Sequence, residues 1–470
     1  MDQLTVTFQA GSAGTFPLTW AQLDFWRKKI KVFGDLGRNF NIPLVLDLPG
    51  PVGLAEFTAV LRRLVERNQV LRTCFRDSPS GPVQVVAGSG AFVLRCYESP
   101  ADGSRARADA VAAELKGPCF SHETEWGIRL AVVCVDGAPR HLAFAVSHLM
   151  IDGSGLQALV EELFALLATR AAGEPEPPLR WQPAEQAARE QTDRSARRNR
   201  AALAHWRKHL TAIPPTMFPA PPRPFTGPRF GRVRLESAAL AATAPRLAAS
   251  CQVPVSSVLM GAFAVALGLA TGQPSCELIL VVGNRYDQAF RSMVGAAAQD
   301  CLLTVNLTGQ VTDVVRATHK AAMAAYYYGY YDPAAVEDLT AAIAAERGIR
   351  FDLNCIYNDL SAFTNGSSDD PTVRPAGRSL TEDTVRALLA QTSAEFMETW
   401  EGQSCKVYLA AEPGAESCAL DLVADTAHLP RAALKPLLLG AERIVLEAAY
   451  RADLPVGDVP ALTGLTPPAA

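Results

Sequence analysis

A strand, a polar turn and a long helix are encoded within residues 141–171, and this unit constrains the fold more than any other stretch of the chain. The apolar run 141–146 predicts a buried strand, and the pattern of residues 153–171 predicts a helix. Between them lies the sequence Ser-His-Leu-Met-Ile-Asp-Gly, residues 147–153. The chain therefore delivers a histidine at the end of a strand, where its side chain can take part in chemistry.

The polar turn supplies one chemically active group and two residues that shape the backbone. A neutral imidazole such as that of His148 can accept a proton from an incoming amine or alcohol. Asp152 lies close enough in the sequence to fix the turn, and Gly153 is expected to allow a backbone conformation that other residues resist. The next helix begins close to His148, so its N-terminal amides are expected to favour negative charge near the imidazole.

Composition excludes several classes of partner. The chain has 470 residues, of which 49% are hydrophobic, so it can bury a large core, and its length suggests roughly two to four domains. A formal net charge of -4 gives no nucleic-acid footprint, and apolar runs such as 256–270 fall short of a membrane span. The N-terminus lacks the pattern of a signal peptide, so we expect a cytoplasmic protein that binds neither nucleic acid nor membrane.

Cysteine spacing gives no reason to expect a metal. None of the ten cysteines forms a Cys-x-x-Cys pair or lies at metal-ligand spacing from a histidine. No metal site is therefore predicted.

Helical and extended patterns alternate in two comparable α/β halves, which are joined by an Ala/Gly/Glu/Pro-rich linker at residues 172–182. A ligand site between two such halves is the usual expectation. The predicted helices are 19–29, 54–68, 104–116, 153–171, 185–210, 238–250, 256–271, 311–327 and 431–449. The predicted strands are 44–48, 71–76, 83–86, 92–97, 128–135, 141–147, 232–235, 277–284, 301–306, 351–357, 405–411 and 419–425.

Six stretches of this chain occur in an order that identifies a family. They are 17–26 (PLTWAQLDFW), 67–75 (RNQVLRTCF), 147–153 (SHLMIDG), 203–210 (LAHWRKHL) with the Pro-rich run after it, 281–285 (VVGNR) and 352–358 (DLNCIYN). Together they resemble the condensation domains of nonribosomal peptide synthetases. Those domains belong to the wider superfamily of chloramphenicol acetyltransferase and carrier-dependent acyltransferases.

The resemblance implies an α/β fold of two chloramphenicol acetyltransferase-like halves, residues 1–180 and 181–470, forming a V-shaped pseudo-dimer with a central tunnel. His148 would lie in that tunnel as the catalytic residue. Asp152 and Gly153 would support the site, with Arg285 as the candidate ion-pair partner of Asp152. The residues expected to line the tunnel or bind substrate are Ser147, Asn354, Tyr357 and Asn358.

The implied activity is that of a free-standing condensation enzyme. It would join an acyl thioester, tethered to an acyl or peptidyl carrier protein, to an amine or hydroxyl acceptor, forming an amide or ester in natural-product and antibiotic biosynthesis. The 4'-phosphopantetheine belongs to the partner carrier protein, and no cofactor is expected on the chain itself. The acceptor is a small molecule or is carrier-bound. Two alternatives stay open: a non-catalytic recruitment module, and a coenzyme-A-dependent O- or N-acyltransferase.

Three stretches depart from the family pattern. Ser147 stands where the family has a first motif histidine, which is expected to change the local packing and the orientation of His148. The small residues of 294–300 (VGAAAQD) are expected to widen the tunnel or alter its acceptor side. The run 326–332 (YYYGYYD) implies an unusual acceptor, and its tyrosines either pack in the core or line the substrate site.

The predicted helix 185–210 is rich in arginine and lysine. These cationic residues form either a solvated face or a docking surface for an acidic carrier protein. They are Arg189, Arg194, Arg197, Arg198, Arg200, Arg207 and Lys208.

Overall fold

The computed structural model describes residues 2–30, 40–50, 52–225, 227–361, 381–400 and 403–466. The chain divides into two compact units. The first consists of Met1–Arg200, Gly283–Gln299 and Tyr330–Ala334, and the second of Ala201–Val282, Asp300–Gly329 and Ala335–Ala470. The predicted halves, residues 1–180 and 181–470, were expected to have related folds. The division into compact units does not test this expectation, so it stays a prediction.

Both units combine helices with β-sheets, so the predicted α/β class is confirmed. The strands are β1 (Asp2–Gln9), β2 (Gly14–Pro17), β3 (Asn41–Asp47), β4 (Thr73–Arg76), β5 (Val83–Val86), β6 (Ser89–Glu98), β7 (Ile128–Val135), β8 (Ala138–Ser147), β9 (Phe230–Ser237), β10 (Ser275–Val282), β11 (Gln299–Asn306), β12 (Cys355–Asp359), β13 (Ser393–Trp400), β14 (Val407–Glu412) and β15 (Cys418–Asp425). They form a five-stranded sheet β1-β6-β7-β8-β3, a three-stranded sheet β2-β5-β4 and a seven-stranded sheet β11-β10-β12-β14-β15-β9-β13.

Helices cover these sheets. In chain order they are Trp20–Phe25, Leu54–Arg67, Ser104–Lys116, Gly153–Ala172, Pro183–Glu190, Asp193–Leu210, Ala238–Cys251, Val255–Thr271, Gln288–Arg291, Val311–Tyr328, Pro333–Arg347, Glu382–Leu388, Arg431–Tyr450 and Val459–Thr463. In the described part of the chain no individual helix has the length and apolarity of a membrane span; one pair, Ala238–Cys251 with Val255–Thr271, meets both criteria jointly but bends by 99°.

Strand β8 is buried because both of its faces are covered. It lies between β7 and β3 and is antiparallel to both. Side chains alternate across a strand, so Leu142, Phe144 and Val146 enter one core cluster, while Ala143 and Ala145 enter another. The sequence Asp-Gly-Ala-Pro at residues 136–139 predicts a hairpin between β7 and β8. The structure confirms it, since Asp136 and Gly137 have φ angles of 52° and 77°, which match the turn that suits a two-residue loop.

Two element predictions require correction. The predicted helix 185–210 is two helices, Pro183–Glu190 and Asp193–Leu210. Polar side chains satisfy the break: Ser195 Oγ donates to the Arg189 carbonyl at 2.9 Å, and Thr192 Oγ1 accepts the Ser195 N–H at 3.4 Å. Such side-chain bonds compete with helix continuation.

The second correction concerns the predicted strand 351–357, because the strand in the structure is Cys355–Asp359 and before it Asp352 forms one isolated bridge with Thr216. Residues before it are held instead by the side chain of Asp352, which binds the Asn354 amide and the Lys406 ammonium.

The helix predicted over 19–29 begins as expected. Thr19 Oγ1 accepts the Gln22 N–H at 3.2 Å, and Gln22 Oε1 accepts the Thr19 N–H at 2.9 Å, which forms a capping box. The α-helix ends at Phe25 and continues as a π-helical turn, Trp26–Ile30.

The stretch 67–75 is explained by a buried arginine cluster. Arg67 pairs with Glu162 at 2.6 Å, and their side chains are 3% and 1% exposed. Arg67 also contacts Glu176 at 3.1 Å and donates to the carbonyls of Pro177 and Pro178. The Arg67 guanidinium therefore holds the linker at residues 172–182 against the helix Leu54–Arg67.

Arg72 has a different set of acceptors. Its guanidinium is fully buried and donates to the backbone carbonyls of Ser12, Val65, Glu66 and Ala87. Both arginines of this stretch are thus structural.

Replacing Arg67 by alanine should lower the free energy of unfolding by about 3–5 kcal/mol, because Glu162 would remain as a buried charge without its main partner. Chemical denaturation monitored by circular dichroism measures this loss. Arg63 is the matched control on the same helix, since it also binds Glu176 but its side chain is 44% exposed. Arg63→Ala should cost less than about 1 kcal/mol; equal losses in the two variants would contradict the argument.

Candidate active site

The end of β8 carries the central histidine. The His148 N–H donates to the Phe40 carbonyl at 3.2 Å. The imidazole stacks on the Phe25 ring, with ring centroids 5.1 Å apart and an interplanar angle of 17°. The residue is half-buried, so the ring is held in place while it keeps some contact with solvent.

Apolar packing fixes the turn that follows. Leu149, Met150 and Ile151 are all 0% exposed, and the Met150 N–H donates to the Ser147 carbonyl at 3.0 Å. Gly127 makes room for this turn, since a Cβ there would lie 1.9 Å from the Met150 sulfur. The peptide that carries His148 therefore has little freedom to move.

Asp152 caps the helix Gly153–Ala172 and is 4% exposed. One carboxylate oxygen accepts the Gly155 N–H at 2.7 Å and the Arg285 guanidinium at 2.5 Å. The other accepts the N–H groups of Ala297 and Ala298 at 2.7 and 2.9 Å. The carboxylate is thus bound on all sides by protein donors.

These donors decide the charge of Asp152. Burial acts to raise the pKa of the carboxyl, but Arg285 and the N–H groups of Ala297 and Gly155 outweigh burial and hold the pKa below its usual value. Asp152 is therefore a fixed anion.

Arg285 organises the segment Gly283–Gln299. Its guanidinium donates to the carbonyls of Phe290, Met293 and Gly295 at 2.5, 2.8 and 2.8 Å, besides Asp152. The preceding residue, Asn284, has a φ of 57°. The expected pairing of Arg285 with Asp152 is present, and one guanidinium closes the loop as well as the ion pair.

Small residues allow this loop to approach the helix. A Cβ on Gly155 would lie 2.3 Å from the Gly295 carbonyl oxygen and 3.0 Å from its nitrogen. The stretch 294–300, expected to widen a tunnel, thus has a packing reason for its small side chains, while Val294 is 2% exposed and belongs to the core cluster around β8. Gly155 was not predicted from the sequence as a residue needed for this close packing, although the sequence places it at the start of the predicted helix 153–171.

Gly153 differs from the expectation. It is the first residue of the helix Gly153–Ala172, and its φ is not positive. The predicted need for an unusual backbone conformation is therefore wrong at Gly153.

Ser147 is buried at the last position of β8, with 2% exposure. Its N–H donates to the Gly127 carbonyl at 2.8 Å, and its hydroxyl lies 2.7 Å from His122 Nε2.

The other three predicted substrate residues belong to the second unit. Asn354 donates to Asp352, and Asn358 donates to the Tyr408 hydroxyl at 2.8 Å. Tyr357 is 0% exposed and lies in the core cluster of that unit, with its ring 6.2 Å from the Phe263 ring. All three side chains have structural surroundings, and their role toward substrate stays a prediction.

The tyrosine run 326–332 divides into packed and exposed residues. Tyr330 and Tyr331 are 2% and 0% exposed, whereas Tyr327 is 72% exposed. The Tyr330 ring packs on Trp20 and Phe290, with centroid distances of 5.3 and 4.9 Å. For Tyr330 the packing alternative is therefore correct.

Sequence reasoning also missed a buried acid behind the Arg285 loop. Glu190 accepts the Trp20 N–H at 2.9 Å, the Gln186 amide at 2.9 Å and the Tyr330 hydroxyl. Burial raises the pKa of Glu190 to about 7, although these three hydrogen bonds act to lower it. The only sequence signal was a glutamate near the start of the predicted helix 185–210, and such a glutamate is usually solvated.

Comparison with known proteins gives the family. The sequence model of the condensation domain matches residues 12–349. The chain belongs to the condensation domain family.

Relatives of this condensation domain are large synthetases. It is 26% identical to chondramide synthase from Chondromyces crocatus over 284 residues, which are 58% of this chain and 7% of that protein. It is 31% identical to tyrocidine synthase 3 from Brevibacillus parabrevis over 157 residues, which are 33% and 2%. Against surfactin synthase subunit 1 from Bacillus subtilis, the identity is 23% over 348 residues, which are 72% and 9%. The chain spans less than a tenth of each of these relatives.

Solved structures agree on the fold. The X-domain from teicoplanin biosynthesis, in complex with OxyB, has a TM-score of 0.70 at 16% identity, covering 96% of this chain and 97% of that chain. The first condensation domain of the calcium-dependent antibiotic synthetase, in complex with a substrate analogue, has a TM-score of 0.67 at 17% identity, covering 95% and 98%. The predicted chloramphenicol acetyltransferase-like fold is confirmed, whereas the V-shape and the tunnel stay predictions.

Among the described residues, no group of three or more His, Cys, Asp or Glu side chains is placed to hold a metal ion. The family supports a condensation-type function.

Replacing Asp152 by alanine should lower the free energy of unfolding by about 3–5 kcal/mol, since Arg285 would stay buried without its counter-ion. Denaturant unfolding measures the loss. In the double variant Asp152→Ala, Arg285→Met, the loss should be smaller than the sum of the two single losses, because both act on one pair. Additive losses would show that the ion pair is not the stabilising contact.

Replacing Glu190 by glutamine should raise the free energy of unfolding at pH 8 and change it little near pH 4.5. Because the pKa of Glu190 is raised from 4.5 to about 7, its stabilising contribution is complete below pH 4.5 and is lost as the pH rises through 7. Denaturation curves across this range should show a gap between the free energies of unfolding of Glu190→Gln and of wild type, and this gap should widen with pH. The exposed Glu123→Gln is the control, and a gap that does not depend on pH would refute the assignment.

Proposed function

We propose that this condensation domain joins a carrier-tethered acyl thioester to an amine or hydroxyl acceptor, with His148 as the catalytic residue. The observation that supports this proposal most directly is a difference between two residues of the motif. The imidazole of His148 is half-buried, whereas the Asp152 carboxylate accepts hydrogen bonds from four protein donors. Of the two ionisable motif residues, His148 is the one in contact with solvent, and its imidazole can orient or deprotonate a nucleophile at neutral pH.

The proposed step is acyl transfer. The acceptor gives its N–H or O–H proton to the imidazole, and its lone pair attacks the thioester carbonyl carbon. The resulting tetrahedral oxyanion collapses, the C–S bond breaks, and the phosphopantetheine thiol leaves with a proton. Positioning of the two substrates supplies much of the acceleration, because general-base assistance contributes only about 10²–10⁴-fold.

The helix Gly153–Ala172 contributes less to the oxyanion than its position suggested. The Gly155 N–H already binds the Asp152 carboxylate at 2.7 Å, and the Leu156 N–H binds the Asp152 carbonyl at 2.8 Å. These amides are therefore used by the cap. Only the first amides of the helix, those of Gly153 and Ser154, stay available for an oxyanion.

The partner is an acyl or peptidyl carrier protein that brings the phosphopantetheine arm. Support comes from the basic helix Asp193–Leu210, on which most of the cationic residues are exposed, whereas Arg198 packs over the rings of Tyr286 and Tyr330 at 5.1 and 5.0 Å. The exposed residues are Arg194, Arg197, Arg200, Arg207 and Lys208. Positive charge there suits an acidic carrier.

Replacing His148 by alanine should lower turnover by about 10²–10⁴-fold while the protein still folds, because the lost group is a general base and not a core residue. Carrier proteins loaded with candidate acyl groups are mixed with the enzyme and a panel of amines and alcohols, and intact mass follows unloading and product. His319→Ala, in the second unit, is the control and should keep full turnover.

Three outcomes would overturn parts of the proposal. Near-full turnover by His148→Ala would remove the base role. Reaction with free acyl-coenzyme A but not with acyl-carrier would select a coenzyme-A-dependent acyltransferase. Absence of unloading by wild type, together with stable binding to another biosynthetic enzyme, would select the recruitment module.

A further inference from the structure

Ser147 and His122 form a partly buried contact next to the candidate catalytic histidine. The Ser147 hydroxyl lies 2.7 Å from His122 Nε2, and Ser147 is 2% exposed. His122 is 25 residues earlier in the chain, in the segment that precedes β7. Ser147 is also the residue that stands where the family pattern has a histidine. The Ser147 hydroxyl therefore contacts an imidazole that another part of the chain supplies.

His122 is held in a defined position. Its carbonyl accepts the Phe75 N–H at 2.8 Å. Its ring lies among three aromatic rings, with centroid distances of 6.5 Å to Trp26, 6.4 Å to Phe75 and 6.2 Å to Phe120. Burial lowers the pKa of His122 to about 4, with Glu125 acting to raise it and Arg129 to lower it. The imidazole is neutral at neutral pH, and in its tautomer protonated at Nδ1 the Nε2 atom accepts a hydrogen bond.

The Ser147 hydroxyl connects His122 to the turn that carries His148. A neutral imidazole lets this hydroxyl donate to Nε2, while its oxygen accepts the Leu149 N–H at 3.3 Å. The Met150 N–H meets the Ser147 carbonyl at 3.0 Å. Ser147 thus accepts two hydrogen bonds, from the N–H groups of Leu149 and Met150, and these bonds span the peptide of His148. A hydroxyl without a partner at Nε2 would be able to rotate away from the Leu149 N–H.

We propose that His122 is a positioning residue: through the Ser147 hydroxyl it sets the turn 147–150 and so the orientation of the His148 imidazole. The effect on turnover rests on the proposed function of His148, whereas the effect on ring orientation does not. The hydrogen bond between His122 and Ser147 would hold this turn in place, which the Ser147 side chain alone cannot do.

The short distance between Ser147 and His122 also predicts which substitutions at these two positions the fold tolerates. An imidazole on residue 147, directed as the hydroxyl is, would collide with His122, because only 2.7 Å separates the two polar atoms. Ser147→His should therefore destabilise the chain and reduce turnover. The double variant Ser147→His, His122→Ala opens the space, and it should recover both.

The experiment compares His122→Phe, His122→Gln and Ser147→Ala in the full chain. Phenylalanine keeps a ring but removes the hydrogen bond, whereas the amide of glutamine can reach the position of Nε2. We expect His122→Phe and Ser147→Ala to lower kcat by about tenfold to a hundredfold with KM nearly unchanged, since misplacement of a reacting group by about 1 Å has effects of this size. His122→Gln should keep most of the turnover.

A second readout does not depend on turnover. The chain has 7 histidines, so histidine-selective isotope labelling gives few ring signals, and His148→Ala assigns that of His148. His122→Phe and Ser147→Ala should both shift the His148 ring signal in the same direction. The control is His319→Phe, which breaks a similar contact, Ser257 Oγ to His319 Nδ1 at 3.1 Å, in the second unit. It should leave the His148 signal unchanged.

The proposal is wrong if His148 keeps its ring signal and kcat in folded His122→Phe and Ser147→Ala. If His122→Phe fails to fold, Ser147→Ala and His122→Gln decide by the same criteria. A wild-type protein without turnover on any substrate would refute the proposed function only, and the His148 signal would still test the positioning role.

Discussion

The ion pair between Asp152 and Arg285 is the contact on which the rest of the site depends. Asp152 joins three pieces of the chain, since it caps the helix after β8, binds Arg285 and accepts the backbone of residues 297 and 298. Arg285 then closes its own loop through the carbonyls of Phe290, Met293 and Gly295. A buried pair with this number of hydrogen bonds offsets its desolvation, so it specifies a geometry rather than adding much stability.

That geometry requires residues that carry no chemistry. Gly155 is needed because the Gly295 carbonyl lies where its Cβ would be, and Gly127 is needed because Met150 fills the space beside it. Close approach between backbone segments places the donors of residues 297 and 298 against the carboxylate. The polar site is thus built on the packing of small residues around β8, whose two covered faces prevent the strand from shifting register.

The sequence predicted the fold where periodicity is strong and local. The helices Leu54–Arg67 and Gly153–Ala172 and the β7–β8 hairpin were expected to within a few residues, because apolar spacing and an Asp-Gly turn report on local structure. The Asp152–Arg285 pair came from the family resemblance. The contacts of Glu190 and His122 depend on tertiary packing between distant segments, for which one sequence holds no signal. Gly153 was misjudged, since a helix start needs no positive φ.

The surroundings of His148 and His122 differ in a way that suits the two different tasks proposed for them. The ring of His148 stacks on one aromatic residue and stays half-buried, so it can meet a substrate. The ring of His122 is enclosed by aromatic side chains, and burial keeps it neutral near pH 7. A neutral ring is a suitable acceptor for a serine hydroxyl, which makes one directional hydrogen bond. Under the positioning proposal, Ser147 therefore changes how the site is supported while the group that would react stays the same.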